Sequence, residues 1–408
     1  RRKGDYAIAR KRFDATMLKV LAGDKLESTW KSLETKMGPF KKRLGDRAEA
    51  AGQYDFVYVT CEFEKRKTDI RVVFDKDKKI AGFFAQTTPK PTEFSVPSYA
   101  DRTAFSEEDV IVGKGSDWPL PATLTLPKGP GPFPAAILVH GSGPHDRDET
   151  IEANKPFRDL AWGLASKGVA VLRYTKRSKE HGKKLMSLPS VTVQVETIDD
   201  AKAAVALLQS KSAIDPQRIF IIGHSLGAFA APRIGEQEPN LAGIALLAGN
   251  LRPLEDLIVE QFAYLYSLQG DLSDSDRDRL DKIKKSVAKV KGSGLTAETP
   301  KSELPLNVPA TYWLWLRAYN PSATAARLSM PILILQGERD YQVTMADFAG
   351  WQKALAGHKN ALLKSYPALN HLFMRGSGKA TPDEYNKPGH VAKEVIDDLA
   401  AWIEAKRR

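Results

Sequence analysis

Arg218-Ile219-Phe220-Ile221-Ile222-Gly223-His224-Ser225-Leu226-Gly227 is the stretch that decides the fold. An apolar run, residues 219–222, meets a Gly-X-Ser-X-Gly pentapeptide, and a small-residue helical stretch, 228–234, follows directly. Strand, tight turn and helix in that order are the context a nucleophile elbow requires. Such a turn forces strained dihedrals on its serine, and flanking glycines remove side chains that would collide. Ser225 is therefore expected to project its hydroxyl at the carboxyl edge of a sheet. The competing reading is a turn serine that only caps the following helix. The strand before it and the helix behind it favour the nucleophile.

A serine hydroxyl is a weak nucleophile until a base takes its proton, and that base must itself be oriented. In a strand–elbow–helix fold the acid and the histidine follow the serine in chain order. Residues 330–340, Met-Pro-Ile-Leu-Ile-Leu-Gln-Gly-Glu-Arg-Asp, read as an apolar strand ending in a Gly-Glu-X-Asp turn, with Asp340 as the acid. Glu338 competes and reads better as a turn or helix-capping carboxylate. Of the seven histidines, 140, 145, 181 and 224 precede Ser225. His358 lies before the final strand and His390 introduces the terminal helix, which leaves His371, in Asn370-His371-Leu372-Phe373, as the base. Developing negative charge on a tetrahedral intermediate needs backbone donors. The N–H of Leu226 is one candidate, and the N–H of Ser142, in His140-Gly141-Ser142-Gly143-Pro144, is the other. His140 stands near His145, Asp146 and Asp148. Their spacing fits no helical ligand pair, so His140 is read as bracing the loop, and no metal is expected.

Outward from these motifs the chain divides. Its 408 residues suit two domains, a 42% hydrophobic fraction supports a large core, and no run approaches the length of a membrane span. The chain opens at Arg1 with no apolar leader, which predicts a processed or trimmed form. Cys61 is alone, which excludes an intrachain disulfide and a cysteine metal cage. The formal net charge of +11 is concentrated in the first hundred residues. Lysines and arginines there are scattered through helical periods, which reads as a solvated face rather than a nucleic-acid module. That segment predicts one amphipathic helix over 6–21, a second over 26–44 divided near Gly38-Pro39, and three strands at 54–63, 68–74 and 80–86. The expected boundaries are a small α+β domain at 1–88, a proline-rich linker at 89–99 and a catalytic domain at 100–408.

In the catalytic domain eight strands alternate with helical periods, as parallel βαβ units do. Some 80 residues separate the strand ending near Leu247 from the one starting near Ile332. A structureless loop of that length is implausible, so an inserted helical cap is expected over 251–328. Within it, Tyr312, Trp313 and Trp315 are candidates for the substrate pocket, or equally for the cap's own core. Arg147, Arg173 and Arg177 are read as locking the oxyanion loop through pairs with Asp146, Asp148 or Asp159.

The elbow at Ser225, the turn at Asp340, the Asn-His turn at His371 and the His-Gly-Ser-Gly loop together resemble the α/β-hydrolase superfamily. The longer phrase His140-Gly141-Ser142-Gly143-Pro144-His145-Asp146-Arg147-Asp148-Glu149-Thr150, with Leu172-Arg173-Tyr174-Thr175-Lys176-Arg177, is similar to a bacterial carboxylesterase subgroup related to dienelactone hydrolases and prolyl oligopeptidases. Asparagine is common there at 145 and aspartate at 175, so His145 and Thr175 depart from the pattern. Layout alone makes the first domain resemble small NTF2-like domains that precede some hydrolases. The resemblance implies an eight-stranded, mostly parallel sheet and a serine carboxylesterase acting on short-acyl esters through an acyl-enzyme. Peptidase, amidase and thioesterase chemistry on the same three residues are the alternatives; an intact site argues against a non-catalytic binding module. A small ester is the expected partner, with no cofactor and no nucleic acid. A homodimer is compatible with the reading, and an extracytoplasmic setting is favoured over a cytoplasmic one.

Overall fold

The computed structural model describes residues 6–51, 54–87, 94–268, 270 and 272–405, and the chain forms two compact units, 1–92 and 93–408. Residues 89–93 of the expected linker, and residue 88 before it, lie outside the described residues.

The first unit is an antiparallel meander, β1 (Phe40–Ala51), β2 (Tyr54–Phe63), β3 (Lys67–Phe74) and β4 (Ile80–Thr87), with helices Tyr6–Arg10, Ala15–Val20 and Lys25–Met37 before it among the described residues. Two expectations fail here. The first helix is broken into Tyr6–Arg10 and Ala15–Val20, because the backbone between them pairs with β4: Ile80 N–H donates to Arg12 and Asp14 N–H to Ile80. Asp14 then restarts the helix by accepting from Met17 N–H at 2.6 Å. The second helix ends at Met37 rather than continuing to Leu44, and β1 takes over. Gly38 sits at φ +79, where a Cβ would meet that of Glu64 at 2.7 Å, so the helix stops where only glycine fits.

In the second unit one eight-stranded sheet carries the core. Its strands are β5 (Phe105–Val112), β6 (Leu120–Pro127), β7 (Phe133–Val139), β8 (Ala170–Tyr174), β9 (Ile214–His224), β10 (Gly243–Leu247), β11 (Ile332–Gly337) and β12 (Ala361–Tyr366). They lie in the order β12-β11-β10-β9-β7-β8-β6-β5, antiparallel only where β6 meets β5 and β8. Successive residues of each central strand feed opposite faces. Ile219 and Ile221 join one core with Ile137, Ile244 and Ile334; Phe220 and Ile222 join the other with Leu138, Ala245 and Leu333. Burial on both faces is why these strands read as unbroken apolar runs. Helices Asp199–Gln209, Leu226–Gln237 and Met345–Ala354 cover the first face, and Pro156–Ala165 and Lys393–Glu404 the second.

Strand order reverses between β7 and β9: the chain runs from β7 outward to β8, then crosses back. A crevice at the carboxyl ends of such strands is where open α/β sheets bind ligands. Between β10 and β11 the chain forms helices Leu254–Ser267, Asp274–Lys291, Ala310–Ala318 and Pro321–Ala325, and Ile258, Val290, Trp313 and Ala325 tie them into the first core.

Candidate active site

Ser225 occupies the turn from β9 into helix Leu226–Gln237, at φ 52 and ψ −115, a left-handed conformation that costs a serine free energy. Its surroundings hold it there. Its own N–H donates to the carbonyl of Leu247 on β10, and a Cβ on Gly223 would lie 2.3 Å from the Gly227 carbonyl oxygen. A Cβ on Gly227 would lie 2.1 Å from the Val139 oxygen, so both glycines exist to let backbones touch. Leu226 begins the helix, where the first N–H groups have no intrahelical carbonyl to bond.

Asp340 stands in the turn after β11 and His371 in the loop after β12, both buried. His371 Nδ1 is 2.6 Å from Asp340 Oδ2. The other oxygen, Oδ1, accepts the backbone N–H groups of Gln342 (2.7 Å) and Val343 (3.0 Å), so the carboxylate is oriented from two sides. The two loops can meet because residue 337 is glycine: a Cβ there would lie 2.5 Å from the Leu369 carbonyl oxygen. Asn370 shapes the histidine loop by accepting N–H bonds from Leu372 and Met374. Glu338 instead accepts from the Ser365 hydroxyl at the exposed edge of the sheet.

Ser225, Leu226, His371 and Gly141–Ser142–Gly143 line one cavity of about 650 Å³. Its remaining wall is mostly apolar, with Leu254, Leu257 and Ile258 from one inserted helix and Tyr312, Trp313 and Leu316 from another. Tyr312 and Trp313 thus both face the cavity and belong to the core. Trp315 is not among the lining residues; it packs against Tyr319, with ring centroids 5.1 Å apart. Tyr341, also on the wall, has its hydroxyl pushed up to about 12 by burial and then by the nearby Asp340 charge, so it stays protonated.

The loop after β7 is held by contacts the motifs did not reveal. Glu149, fully buried at φ +50, accepts the Gly141 N–H on Oε1 at 2.7 Å. From the opposite side the buried Lys176 ammonium donates to the Gly141 carbonyl at 2.8 Å. Lys176 lies 3.4 Å from Glu196, which also accepts the Tyr312 hydroxyl. His145, where the resemblance implies asparagine, donates from Nε2 to the Ser142 carbonyl at 2.6 Å. His140 Nε2 donates to the Asp146 carbonyl at 3.0 Å, and burial, against the pull of Glu149, lowers its pKa to about 3. A neutral ring bracing the loop follows from that.

Of the three arginines, Arg173 meets one of the expected partners and the other two do not. Arg173 pairs with Asp148 and also with Glu107, Arg177 pairs with Asp200, and Arg147 pairs with Asp109. Asp159 instead faces His390 at 3.0 Å, and Asp146 accepts from Thr150. Glu149, His224 and Lys176 were legible only as members of longer phrases; the pairing that gives them a role joins loops far apart in sequence.

Residues 136–377 match the family described as serine aminopeptidase, S33 (Hydrolase_4), and residues 2–83 match a family described as a protein of unknown function (DUF3887). Over 383 residues the chain is 39% identical to esterase EstD of Thermotoga maritima, covering 94% of this chain and 88% of that one. Among solved structures, Est1E from Butyrivibrio proteoclasticus superposes with a TM-score of 0.46 at 16% identity, covering 73% of this chain and 99% of that one. A Mycobacterium tuberculosis puromycin-hydrolysing peptidase gives 0.46 at 16% identity, over 90% and 48%.

Proposed function

We propose, from the premise that the chain belongs to the α/β-hydrolase family described as serine aminopeptidase S33 and is a relative of an esterase, that it is a serine hydrolase of short-chain carboxylic esters. Ser225 Oγ attacks the ester carbonyl while His371 Nε2 takes its proton and returns it to the departing alcohol. Asp340 holds the imidazole by Nδ1 and stabilises the imidazolium that forms. The Leu226 and Ser142 N–H groups receive the negative charge that develops on the carbonyl oxygen. Water, activated by the same histidine, then releases the acid and restores Ser225.

The observation that carries this reading is the 2.6 Å contact between His371 Nδ1 and Asp340 Oδ2, beside a cavity that Ser225 lines. The helices after β10 supply the apolar wall and act as the cap, enclosing a space sized for the whole of a small ester. Ester cleavage is favoured over aminopeptidase chemistry by the state of the carboxylates on that wall. An aminopeptidase needs an acidic group for the substrate ammonium. Glu149 and Glu196, the two carboxylates among the described lining residues, are already paired with His224 and Lys176.

A serine-directed fluorophosphonate should label Ser225 in folded protein, and absence of labelling would sink the mechanism. A series of nitrophenyl esters from acetate to palmitate, run beside peptide amides, should give highest kcat/KM on short acyl chains and weak amide cleavage. Equal rates on long chains would contradict a closed cap, and faster amide cleavage would favour the peptidase reading.

A further inference from the structure

His224, the residue before the nucleophile, is buried with an oxygen against each ring nitrogen. Nε2 is 3.0 Å from the backbone carbonyl of His371, and Nδ1 is 2.9 Å from Glu149 Oε2. A carbonyl oxygen can only accept, so Nε2 carries a proton. At Nδ1 one proton must sit between ring and carboxylate, since two lone pairs facing each other in a buried site would repel. The contact there is an ion pair rather than a linear hydrogen bond. Glu149 Oε1 already accepts the Gly141 N–H, and a hydrogen bond to the charged form of a carboxyl favours that form. The proton therefore belongs to the ring.

The directions of the two pKa shifts agree. Burial pushes the Glu149 carboxyl up, but the His224 charge outweighs it and holds it below the ordinary carboxylate range. Burial pushes His224 down, and Glu149 outweighs it in turn, so the ring is raised above the usual histidine value. His140 and His145 also face Glu149, with Lys176 across the Gly141 peptide, and Asp340 acts on His224 from beyond His371. The His224 and His371 rings are 4.8 Å apart, centroid to centroid.

This pair touches all three loops the reaction needs. Glu149 grips Gly141 after β7, His224 sits on the elbow after β9, and its Nε2–H holds the backbone of His371 after β12. We propose that Glu149 and His224 form a buried pair, ionised through the neutral range, that positions the Gly141–Gly143 loop and His371 about Ser225, making both of them positioning residues for ester hydrolysis. The proposal rests on reading Ser225 as nucleophile and His371 as base. Removing an oxyanion donor outright costs about 10²–10³ in turnover; the nearest comparison for a partner that orients a working histidine, the outer partner of a metal-bound one, costs about 10–100-fold.

Two measurements on the full chain test it. Histidine-labelled protein, examined by long-range ¹H–¹⁵N correlation with His224 assigned by its loss in His224→Gln, should show both ring nitrogens protonated from about pH 6 to about pH 8, across the ordinary histidine range. A neutral ring with bare Nδ1, or a ring that titrates inside that window, overturns the proposal. Glu149→Gln keeps the shape and still accepts from Gly141 while removing the charge. It should turn His224 into the neutral Nε2–H tautomer and lower kcat by about 10–100-fold with KM changed less than about threefold. An unchanged kcat in folded Glu149→Gln, or a loss confined to KM, also overturns it. If that variant does not fold, the wild-type ring protonation decides alone. Fluorophosphonate labelling of wild-type Ser225 is run in parallel: its failure counts against the nucleophile, whereas a neutral His224 in labelled protein counts against the positioning pair.

Discussion

Both oxygens of Asp340 are engaged before any substrate arrives, Oδ1 by two backbone N–H groups and Oδ2 by His371 and by Gln336 Nε2 at 3.2 Å. That division makes Asp340→Asn a clean test of the acid's role. The retained oxygen can keep the two backbone bonds, so the turn should survive. The new amide nitrogen donates where a carboxylate accepted, which forces the opposite tautomer on His371 and puts a hydrogen on Nε2, the nitrogen proposed to take the serine proton. A fall of about 10⁴ in kcat is expected, with circular dichroism unchanged, since this is the size of the effect when a triad acid is neutralised in place. A loss below about tenfold would remove Asp340 from the mechanism. Chain order and local motifs together pointed to Ser225, Asp340 and His371, because each stands just behind an apolar strand and strands are the easiest elements to read. Glu149 offered no comparable signal: it is one acid among several in a charged loop, and only the fold brings it against Gly141 and His224.

At the scale of elements, legibility followed burial. All eight strands of the second unit were readable: β7, β8, β10 and β11 are buried almost throughout and leave uninterrupted apolar runs, while the edge strands β5 and β12 keep exposed residues and showed shorter apolar stretches. β1 was not. Its sequence, Phe-Lys-Lys-Arg-Leu-Gly-Asp-Arg-Ala-Glu-Ala-Ala, is polar, and register shifts after Phe40 and Arg43 interrupt the alternation that marks a strand. The first helix failed for a related reason, as pairing with β4 overrode a local helical period. The inserted helix Ala310–Ala318 shows an element serving two ends at once, since fully buried Trp313 is both core and cavity wall. Trp313→Ala should therefore cost about 3–5 kcal/mol of stability, the usual range for a buried tryptophan. It should also move the preferred acyl group in a nitrophenyl ester series toward longer chains. A variant that loses stability while keeping its chain-length profile would show that Trp313 supports the wall without bounding the substrate.

For the molecule as a whole, the loops after β7, β9, β11 and β12 meet at the carboxyl edge of one sheet, so site and core share their charged burial. Two histidines there pull stability in opposite directions with pH. His224 has its pKa raised, so its contribution is present below the unfolded value near 6.5 and is lost as pH climbs through the folded value. His140 is the reverse. Burial, aided by the charges of His145 and Lys176 and opposed by Glu149, lowers it to about 3. Above about pH 6.5 it is neutral both folded and unfolded and contributes no pH dependence. As pH falls from about 6.5 toward about 3, the unfolded chain takes up a proton that the folded chain refuses, and stability drops by up to about 1.4 kcal/mol per pH unit. In the upper part of that window, about pH 5 to 6.5, Asp200 opposes His140: burial has raised its carboxyl to about 7, so its proton uptake favours the folded state. The difference between two proteins isolates the histidine. His140→Gln replaces the ring with an amide that can still donate to the Asp146 carbonyl but cannot take up a proton. Its stability to denaturant should fall less, or rise more, than that of the wild type on acidification from about 6.5 to about 5, leaving the acid limb below about pH 4.5 to the other carboxylates. Equal slopes in the two proteins across the upper window would mean that His140 takes up its proton without unfolding, and that the loop after β7 gives way before the core does.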